Sequence, residues 1–351
     1  MSGPLILAIE TSCDETGIAL VEGGRRIVAE TVASQVAMHA ASGGIVPEVA
    51  ARAHLRWIVP TLDQTLAAGG ADLSDVDAIA VTEGPGLAGS LIVGINFAKT
   101  LAWVHDKPLI AVNHLEGHVY AAWLDGGDAA PEPLFPLVAL VVSGGHTLLV
   151  EMLDHLAYRL LGQTVDDAAG EAFDKVGRLL GLPYPGGPAI SRAADDAARH
   201  DAAFPRAWLG DSFDFSFSGL KTAARRIVET ARADAGLAAH PDVPLPSETV
   251  AALSWGFQDS VVDVLATKTL RAASTTKARS IVLGGGVASN RVLRERLAQG
   301  AASLAIPLVV PRPGLCTDNG AMIGAAADRR LATGERAGIS LDARPSYPLA
   351  S

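Results

Sequence analysis

Cysteine is nearly absent from this chain, whose 351 residues include only Cys13 and Cys316. Two cysteines so far apart in sequence do not indicate a disulfide framework, and a reducing cytosol is the simplest setting. Charge is also sparse: 19% of the residues are charged and 49% are hydrophobic, and 38 acidic side chains outnumber 28 basic ones. The net charge of −10 argues against indiscriminate nucleic-acid binding and leaves room only for a local basic contact.

Long uninterrupted apolar runs are missing as well. The most apolar window, residues 87–104, is broken by Ser90, Asn96 and Lys99, so no membrane span is expected. The first ten residues lack the basic region of a signal peptide and predict a first strand instead. We therefore expect a cytoplasmic protein without membrane association, long enough for two domains and a large core.

Two histidines four residues apart stand at the predicted start of a helix, within the stretch 111–124. At about 100° per residue, such a pair falls within about 40° on one helix face, so His114 and His118 can reach one small ion. Histidine pairs at this spacing also occur as surface or capping residues. The context favours a ligand site, because residues 108–112 predict a buried strand, Asn113 is a plausible N-cap, and α/β proteins bind ligands where strands end.

The acid in this stretch is Glu116, two residues after His114. The general-base glutamate of the metalloprotease motif HExxH directly follows the first histidine. Glu116 is about 200° further round the helix than His114, so we expect it to face away from a bound ion. The spacing favours a metal that holds a ligand over one that activates water beneath a glutamate.

The second half of the chain repeats the plan of the first. Three matched pairs of segments occur in the same order: 5–21 with 136–150, 80–104 with 280–291 onward, and 109–124 with 307–331. This order indicates an internal duplication with a cleft between two like domains. The register places Asp318 where His114 and His118 stand in the first half. Two histidines and a carboxylate with open positions suit iron, zinc or manganese, although Asp318 is equally placed to cap the following helix.

Three further acids are candidates for direct chemistry. The polar turn 10–16 offers hydroxyl groups to a phosphate, and its acids Asp14 and Glu15 could hold a cation or exchange protons. The turn is equally well explained as the polar tip of a hairpin. An acid-rich helix is predicted for 166–180, and Asp174 on its second turn is the best placed to contact a hydroxyl or amine of a ligand.

Basic residues cluster in two places, at 216–226 and among Arg291, Arg294 and Arg296. Such clusters are more often solvated faces than binding sites. They are nevertheless the best candidate binding sites for a phosphate backbone.

Together these motifs resemble the TsaD (Kae/Gcp) family of tRNA N6-adenosine threonylcarbamoyltransferases. The matching segments span nearly the whole chain in the family's order: Glu10–Thr16, Val112–His118, Val142–Thr147, Gly170–Lys175, Tyr184–Pro188, Ser218–Thr222, Gly284–Asn290 and Cys316–Asn319. None is decisive alone, whereas the full set is specific. Ser191 departs from the acid that a number of members carry, and Gly320 replaces the commoner alanine.

The resemblance implies the actin/Hsp70/sugar-kinase (ASKHA) fold, an α/β architecture of two duplicated RNase H-like domains around a central cleft. Residues 1–112 with about 320–351 would form the first domain, and 113–319 the second, with helical insertions. It implies one divalent metal on His114, His118 and Asp318, with iron(II) favoured and zinc as the alternative. It assigns the contacts with the substrate threonylcarbamoyl-AMP to Val141, Val142, Ser143, Gly144, Gly145, Asp174, Gly187 and Asn290.

The implied reaction transfers the threonylcarbamoyl group from its AMP anhydride to N6 of the adenosine 3′ of the anticodon in tRNAs reading ANN codons. Asp14 and Glu15 are hypotheses for the proton acceptor. The resemblance also implies a TsaB-like paralogue and a TsaE-like ATPase as partners, with the adenylate supplied by a TsaC-type enzyme.

Three other functions compete with this one. An ATP-dependent kinase or ATPase of the same fold would need magnesium held by acids, for which a histidine pair is a poor site. A protease would need a glutamate next to the histidines, which the sequence lacks. A non-catalytic scaffold is disfavoured because the metal and ligand motifs are intact.

Overall fold

A computed structural model describes residues 3–40, 44–124, 132–198, 202–239 and 242–350. Two five-stranded mixed sheets form its framework, and both have the same strand order. The predicted internal duplication is therefore confirmed at the level of topology.

The first sheet is built from the N-terminal part of the chain. Its strands are β1 (Leu5–Glu10), β2 (Glu15–Glu22), β3 (Arg26–Ser34), β4 (Ala78–Gly84) and β5 (Leu109–Asn113). The order is β3-β2-β1-β4-β5, with an antiparallel β1–β2–β3 meander and parallel β1, β4 and β5. The central strands are buried on both faces, as their unbroken apolar runs predict.

Four α-helices lie among the described residues of this part: α1 (Val36–Ala40), α2 (Pro47–Gly69), α3 (Ala88–Val104) and α4 (His114–Tyr120). Helix α2 begins at Pro47, where the missing N–H group costs no hydrogen bond. Residues 41–43, which follow α1, lie outside the described part. His39 of α1 is buried beside Gln35, and its Nε2 lies 3.2 Å from Gln35 Oε1.

The second sheet repeats the arrangement. Its strands are β6 (Leu137–Val142), β7 (Thr147–Asp154), β8 (Ala157–Gln163), β9 (Ser280–Gly284) and β10 (Leu308–Val309). The order β8-β7-β6-β9-β10 copies that of the first sheet strand for strand. β6 pairs antiparallel with β7 and parallel with β9.

The described residues of the second half contain six α-helices: α5 (Ala169–Leu179), α6 (Gly186–Asp195), α7 (Ser218–Asp234), α8 (Ser247–Thr276), α9 (Arg291–Ser303) and α10 (Gly320–Ala332). The acid-rich helix starts at Ala169, three residues later than predicted, so Asp166 and Asp167 precede it. None of the described helices combines the length and apolarity needed to cross a membrane.

The helices that follow the fifth strand of each sheet cross toward the opposite sheet. α10 follows β10 of the second sheet and packs on β1 and β2 of the first, while α4 follows β5 and also contacts β6 and β9. The two helices pack directly against each other. On this ground we propose the domain boundaries near residues 112 and 320 that the sequence predicts. The crossing brings the start of α4 and the start of α10 to the same point of the cleft.

Candidate functional site

His114, His118 and Asp318 meet where α4 and α10 begin. Their candidate ligand atoms all lie within 4.8 Å of one another. Asp318 Oδ1 is 3.5 Å from His114 Nε2 and 3.2 Å from His118 Nε2, and the two imidazole rings stand edge to face at 4.7 Å. Both histidines are buried, and Asp318 is 18% exposed. The three residues that the sequence singles out are thus brought together from positions 204 residues apart (318 − 114).

Asparagines cap both helices and leave the three ligands free. The Asn113 side chain accepts a hydrogen bond from the Leu115 backbone N–H, and the Asn319 side chain accepts one from Met322. Asn319, not Asp318, is therefore the N-cap of α10, and the capping role considered for Asp318 is wrong. Relieved of capping, Asp318 points its carboxylate at the two imidazoles.

Glu10, at the end of β1, contacts His114 at Nδ1, the ring nitrogen that does not face Asp318. Its Oε2 lies 3.1 Å from His114 Nδ1, and the Ser12 hydroxyl lies 3.1 Å from the same nitrogen. Thr82 donates to Glu10 Oε2 at 2.6 Å, and the Ser12 backbone N–H donates to Oε1. A carboxylate on the outer ring nitrogen of a histidine fixes the tautomer that presents Nε2 to a metal. The sequence reasoning assigned Glu10 no role, although its position at a strand end was a usable signal.

The donor set fits a divalent transition metal. Within the described part of the chain, Nδ1 of the buried His118 has no hydrogen bond and Nε2 has only its ion pair with Asp318, although a buried polar nitrogen ordinarily has a partner. Burial lowers the pKa of His114, but the carboxylates of Asp318 and Glu10 outweigh that effect and raise the pKa to about 9. For Asp318, burial works against ionisation, yet the neighbouring His114 and His118 hold its pKa well below the usual range. The site therefore concentrates negative potential on two nitrogen ligands, as a cation requires.

Glu116 faces away from these ligands, as its angular position predicts. Its buried carboxylate pairs with Arg330 in the last turn of α10, at 2.7 Å. The one carboxylate on α4 therefore does not reach the cluster. The protease hypothesis needs a glutamate there as general base, so the structure argues against it.

Asp14 and Glu15 line the cleft beside Asp318. Burial, then the charges of Asp318 and Asp14, raise the pKa of Glu15 to about 10. The Ser34 hydroxyl donates to Glu15 Oε1 at 3.0 Å. A carboxyl group with so high a pKa holds its proton at neutral pH, which makes Glu15 a poor proton acceptor.

The turn between β6 and β7 presents an open backbone to the cleft. Val141 and Val142 are buried in β6, whereas Gly144 and Gly145 are exposed. Ser143 closes the turn, since its backbone N–H donates to His146 and its hydroxyl accepts from the His146 N–H. A side chain at either glycine would meet no atom within 4 Å, so a ligand can approach both amides directly.

The remaining predicted ligand contacts lie on α5, on α6 and at the start of α9, and α5 packs against the glycine turn, where a side chain at Gly170 would meet Ser143 and Gly144. The Asp174 carboxylate accepts from the Gly186 N–H at 2.7 Å and holds the start of α6 in place. Gly187, next along α6, has open space where a side chain would stand. Asn290 caps α9 through Leu293, and its amide donates to Ser191 at 3.0 Å.

The basic clusters are mostly occupied by other contacts. Arg296 pairs with Asp259 at 2.7 Å, and Arg294 donates to the Ala288 carbonyl. Arg225 pairs with Glu229 on the exposed face of α7. These contacts weaken both clusters as candidates for a phosphate-binding face.

Sequence comparison places these motifs among known proteins. A family model described as TsaD, tRNA N6-adenosine threonylcarbamoyltransferase, matches residues 26–325. A protein of that name from Thermomicrobium roseum is 54% identical over 98% of this chain and 97% of its own length. Namesakes from Moorella thermoacetica and Staphylococcus aureus are 50% and 46% identical over the same shares of the two chains.

Comparison of folds adds distant relatives. A HypF structure with bound phosphate and nucleotide superposes with a TM-score of 0.59 at 13% identity, covering 95% of this chain and 47% of HypF. Component A of the (R)-2-hydroxyglutaryl-CoA dehydratase of Acidaminococcus fermentans gives 0.52 at 13% identity, covering 94% of this chain and 100% of that one. Both likenesses show the fold alone, and they confirm the predicted actin/Hsp70/sugar-kinase architecture.

Proposed function

Because the chain belongs to the TsaD family and is thus a tRNA N6-adenosine threonylcarbamoyltransferase, we propose that threonylcarbamoyl-AMP is its donor and that the acceptor is the adenosine 3′ of the anticodon in tRNAs reading ANN codons. In the transfer, N6 forms a bond to the carbamoyl carbon while the bond from that carbon to the phosphate oxygen breaks. AMP leaves, and N6 gives up one proton to a base. The single observation that carries the proposal is the buried His114–His118–Asp318 cluster beside an open glycine turn.

We assign a divalent metal, iron(II) in preference to zinc, to His114, His118 and Asp318. When bound, such an ion supplies positive charge that neutralises the phosphate of the donor and of departing AMP. Glu10 keeps the Nε2 atom of His114 available by its contact with Nδ1. An N,N,O donor set suits these metals, whereas magnesium prefers oxygen ligands alone.

The chain's own residues position the donor. Gly144 and Gly145 can offer backbone N–H groups to the acyl or phosphate oxygens, since no side chain stands over them. The adenylate then contacts Asp174, Gly187 and Asn290, which belong to the same half of the chain as the turn. An exocyclic amine is a weak nucleophile, so rate depends on holding it against the carbonyl and on stabilising the leaving group. Asp14 is the proposed acceptor of the N6 proton.

The test is transfer of threonine label to an unmodified ANN-decoding tRNA, with threonylcarbamoyl-AMP supplied and candidate partners present. Wild-type protein is expected to label N6 of the anticodon-adjacent adenosine. The double variant His114→Ala, His118→Ala should lose both bound metal and transfer, whereas His105→Ala, at a partly exposed position after α3, should keep both. No label from wild type while the adenylate survives would reject this donor and acceptor. ATP turnover without label would instead favour a kinase or ATPase of the same fold.

Because the chain is acidic, we expect other proteins to contribute to the binding of tRNA. We propose a TsaB-like paralogue as direct partner, a TsaE-like ATPase, and a TsaC-type enzyme as source of the adenylate. Exposed apolar side chains on the neighbouring helices α2 and α3 support a protein partner there: Leu55 is 66%, Val59 51% and Ile92 45% exposed. The two free cysteines, Cys13 and Cys316, support the proposed cytoplasmic location.

A further inference from the structure

The C-terminal segment 345–350 lies across the mouth of the cleft. The Asn113 amide donates to the carbonyl oxygens of Tyr347 and Pro348 at 3.2 and 3.4 Å, and the Gly86 N–H donates to the Pro345 carbonyl at 3.2 Å. Asn113 is also the cap of the helix that carries His114. The segment is therefore fixed to the same strand ends that position the metal ligands.

A cavity of about 410 Å³ separates this segment from the β7–β8 hairpin of the second sheet. Tyr347 and two prolines line one side, and Leu148, Leu160 and Gln163 line the other. Its size suits a small organic group, and its walls present both apolar and polar groups.

The cavity reaches the reaction centre at its inner end. Gly145 and His146 are part of its lining, and the His146 ring lies 6.4 Å from that of His114. Gly145 also belongs to the turn that is proposed above to bind the donor, threonylcarbamoyl-AMP.

The lining has the chemistry that recognises an unstacked nucleobase. Tyr347 offers an aromatic face, on which Arg344 already rests with its guanidinium carbon 4.0 Å from the ring centroid. Nη1 of Arg344 lies 3.7 Å from Glu83 Oε1, and the side chain is still 53% exposed, so part of its guanidinium faces outward, where a phosphate would approach. The side-chain amide of Gln163 is exposed and hydrogen-bonds no other described residue, which leaves a donor and an acceptor for a base edge. Aromatic and arginine surfaces are where single-stranded RNA bases stack.

Resting on the proposed transferase function, we propose that this cavity is the acceptor pocket, which takes the target adenine after it leaves the anticodon-loop stack. Tyr347 stacks on the base, Gln163 contacts its edge, and the exocyclic amine points toward Gly145. Enzymes that modify a base bind it in such an extruded position. The donor and acceptor then meet at one glycine turn beside the metal cluster.

The test is a photo-crosslink combined with kinetics on the full chain with its partners. An ANN-decoding tRNA carrying 8-azidoadenosine at the target position is irradiated with the protein, and the labelled peptide is sequenced. Label on 345–350 or on 160–164 supports the pocket. Label elsewhere, from a preparation that makes threonylcarbamoylated product with normal tRNA, overturns the pocket and leaves the proposed function standing. Absence of product with normal tRNA overturns the proposed function itself.

Kinetic variants give a second, independent result. Base–aromatic stacking is worth about 1–3 kcal/mol, so Tyr347→Ala is expected to raise the KM for tRNA by about 5–150-fold. The KM for threonylcarbamoyl-AMP should stay constant, and Tyr347→Phe should restore the tRNA value because the ring face remains. Gln163→Ala should also raise the tRNA KM, whereas Gln299→Ala, on the exposed face of α9, should not. A tRNA KM unchanged in both Tyr347→Ala and Gln163→Ala would reject the pocket.

Discussion

The Arg330 guanidinium holds both carboxylate oxygens of Glu116, with Nε 2.8 Å from Oε1 and Nη2 2.7 Å from Oε2. Glu116 is fully buried on α4, and the side chain of Arg330 is 19% exposed on α10. The pair therefore ties the helix that carries two of the proposed metal ligands to the helix that follows the third. It lies on the face of α4 opposite the cluster, so it positions His114 and His118 without contacting the cluster itself.

Breaking this pair should destabilise the fold. Arg330→Met leaves a buried carboxylate unpaired, which costs about 3–5 kcal/mol in the free energy of unfolding. Urea denaturation of the metal-free protein measures the change. Arg336→Met, at an exposed position, is the matched control and should have little effect. The double variant Glu116→Leu, Arg330→Met should recover most of the loss, and a double variant as unstable as the single one would contradict this account.

Glu10→Gln should weaken metal binding while leaving all three ligands in place. The amide cannot stabilise the imidazole as the carboxylate does, and loss of such an outer contact typically costs about 10–100-fold in metal affinity. Isothermal titration with Zn²⁺ measures the effect without reference to activity. Glu48→Gln, on the exposed start of α2, should bind as wild type does. An affinity equal to wild type in Glu10→Gln would remove Glu10 from the site.

Metal affinity should rise with pH. Without metal, the pKa of His114 is raised to about 9, mainly because the carboxylates of Asp318 and Glu10 outweigh burial. A proton and a metal compete for this imidazole, so affinity should rise by about tenfold per pH unit from about pH 6.5 to 9. Without metal, the protonated His114 stabilises the fold fully below about pH 6.5, and that contribution is lost as pH rises to 9. Titrations at several pH values, with thermal melts of the metal-free protein, test both slopes, and a pH-independent affinity would contradict them.

Much of this architecture can be predicted from the sequence, and the helices and strands that cannot be predicted have physical reasons for it. The central strands, α4 and α10 carry clear apolar runs and asparagine caps. Helix α8 was missed because it is buried over most of its circumference and so lacks a polar face. Helix α6 is hard to predict because it begins with Gly-Gly-Pro, which is typical of a turn. Strand β8 is hard to predict because it lies at the edge of the sheet and, among the described strands, pairs with β7 alone.

The candidate site was likewise predictable from the sequence only in part. The two histidines share a helix face, so local spacing predicts them, and Asp318 follows from the internal repeat. The Glu116–Arg330 pair joins residues 214 apart, and no pattern in either helix specifies such a partner. The acceptor cavity depends on where an extended C-terminal segment comes to rest, which hydrophobic periodicity does not encode.

The exposed apolar face of α2 should be needed for the proposed partner. Leu55→Glu places a charge at a position that is 66% exposed, so the isolated fold should tolerate it. If the TsaB-like paralogue packs there, desolvating the new carboxylate should weaken the complex by at least about tenfold. Light scattering or titration of the two purified proteins measures the affinity. Leu153→Glu, at a 56% exposed position on β7, is the matched control and should bind normally. Equal binding by both variants would place the partner on another surface.

Asp14 and Glu15 should differ in their effect on transfer, although they are adjacent. The pKa of Glu15 is raised to about 10, first by burial and then by the charges of Asp318 and Asp14, so this carboxyl group carries a proton at neutral pH. Glu15→Gln keeps a neutral hydrogen-bonding group there and should retain kcat within about threefold, whereas Asp14→Asn removes the proposed base and should lower kcat by about 10²–10⁴-fold. Single-turnover transfer assays with saturating adenylate separate this chemical step from binding. A kcat that survives in Asp14→Asn but collapses in Glu15→Gln would exchange the two roles, and full activity in both would move the proton acceptor outside this turn.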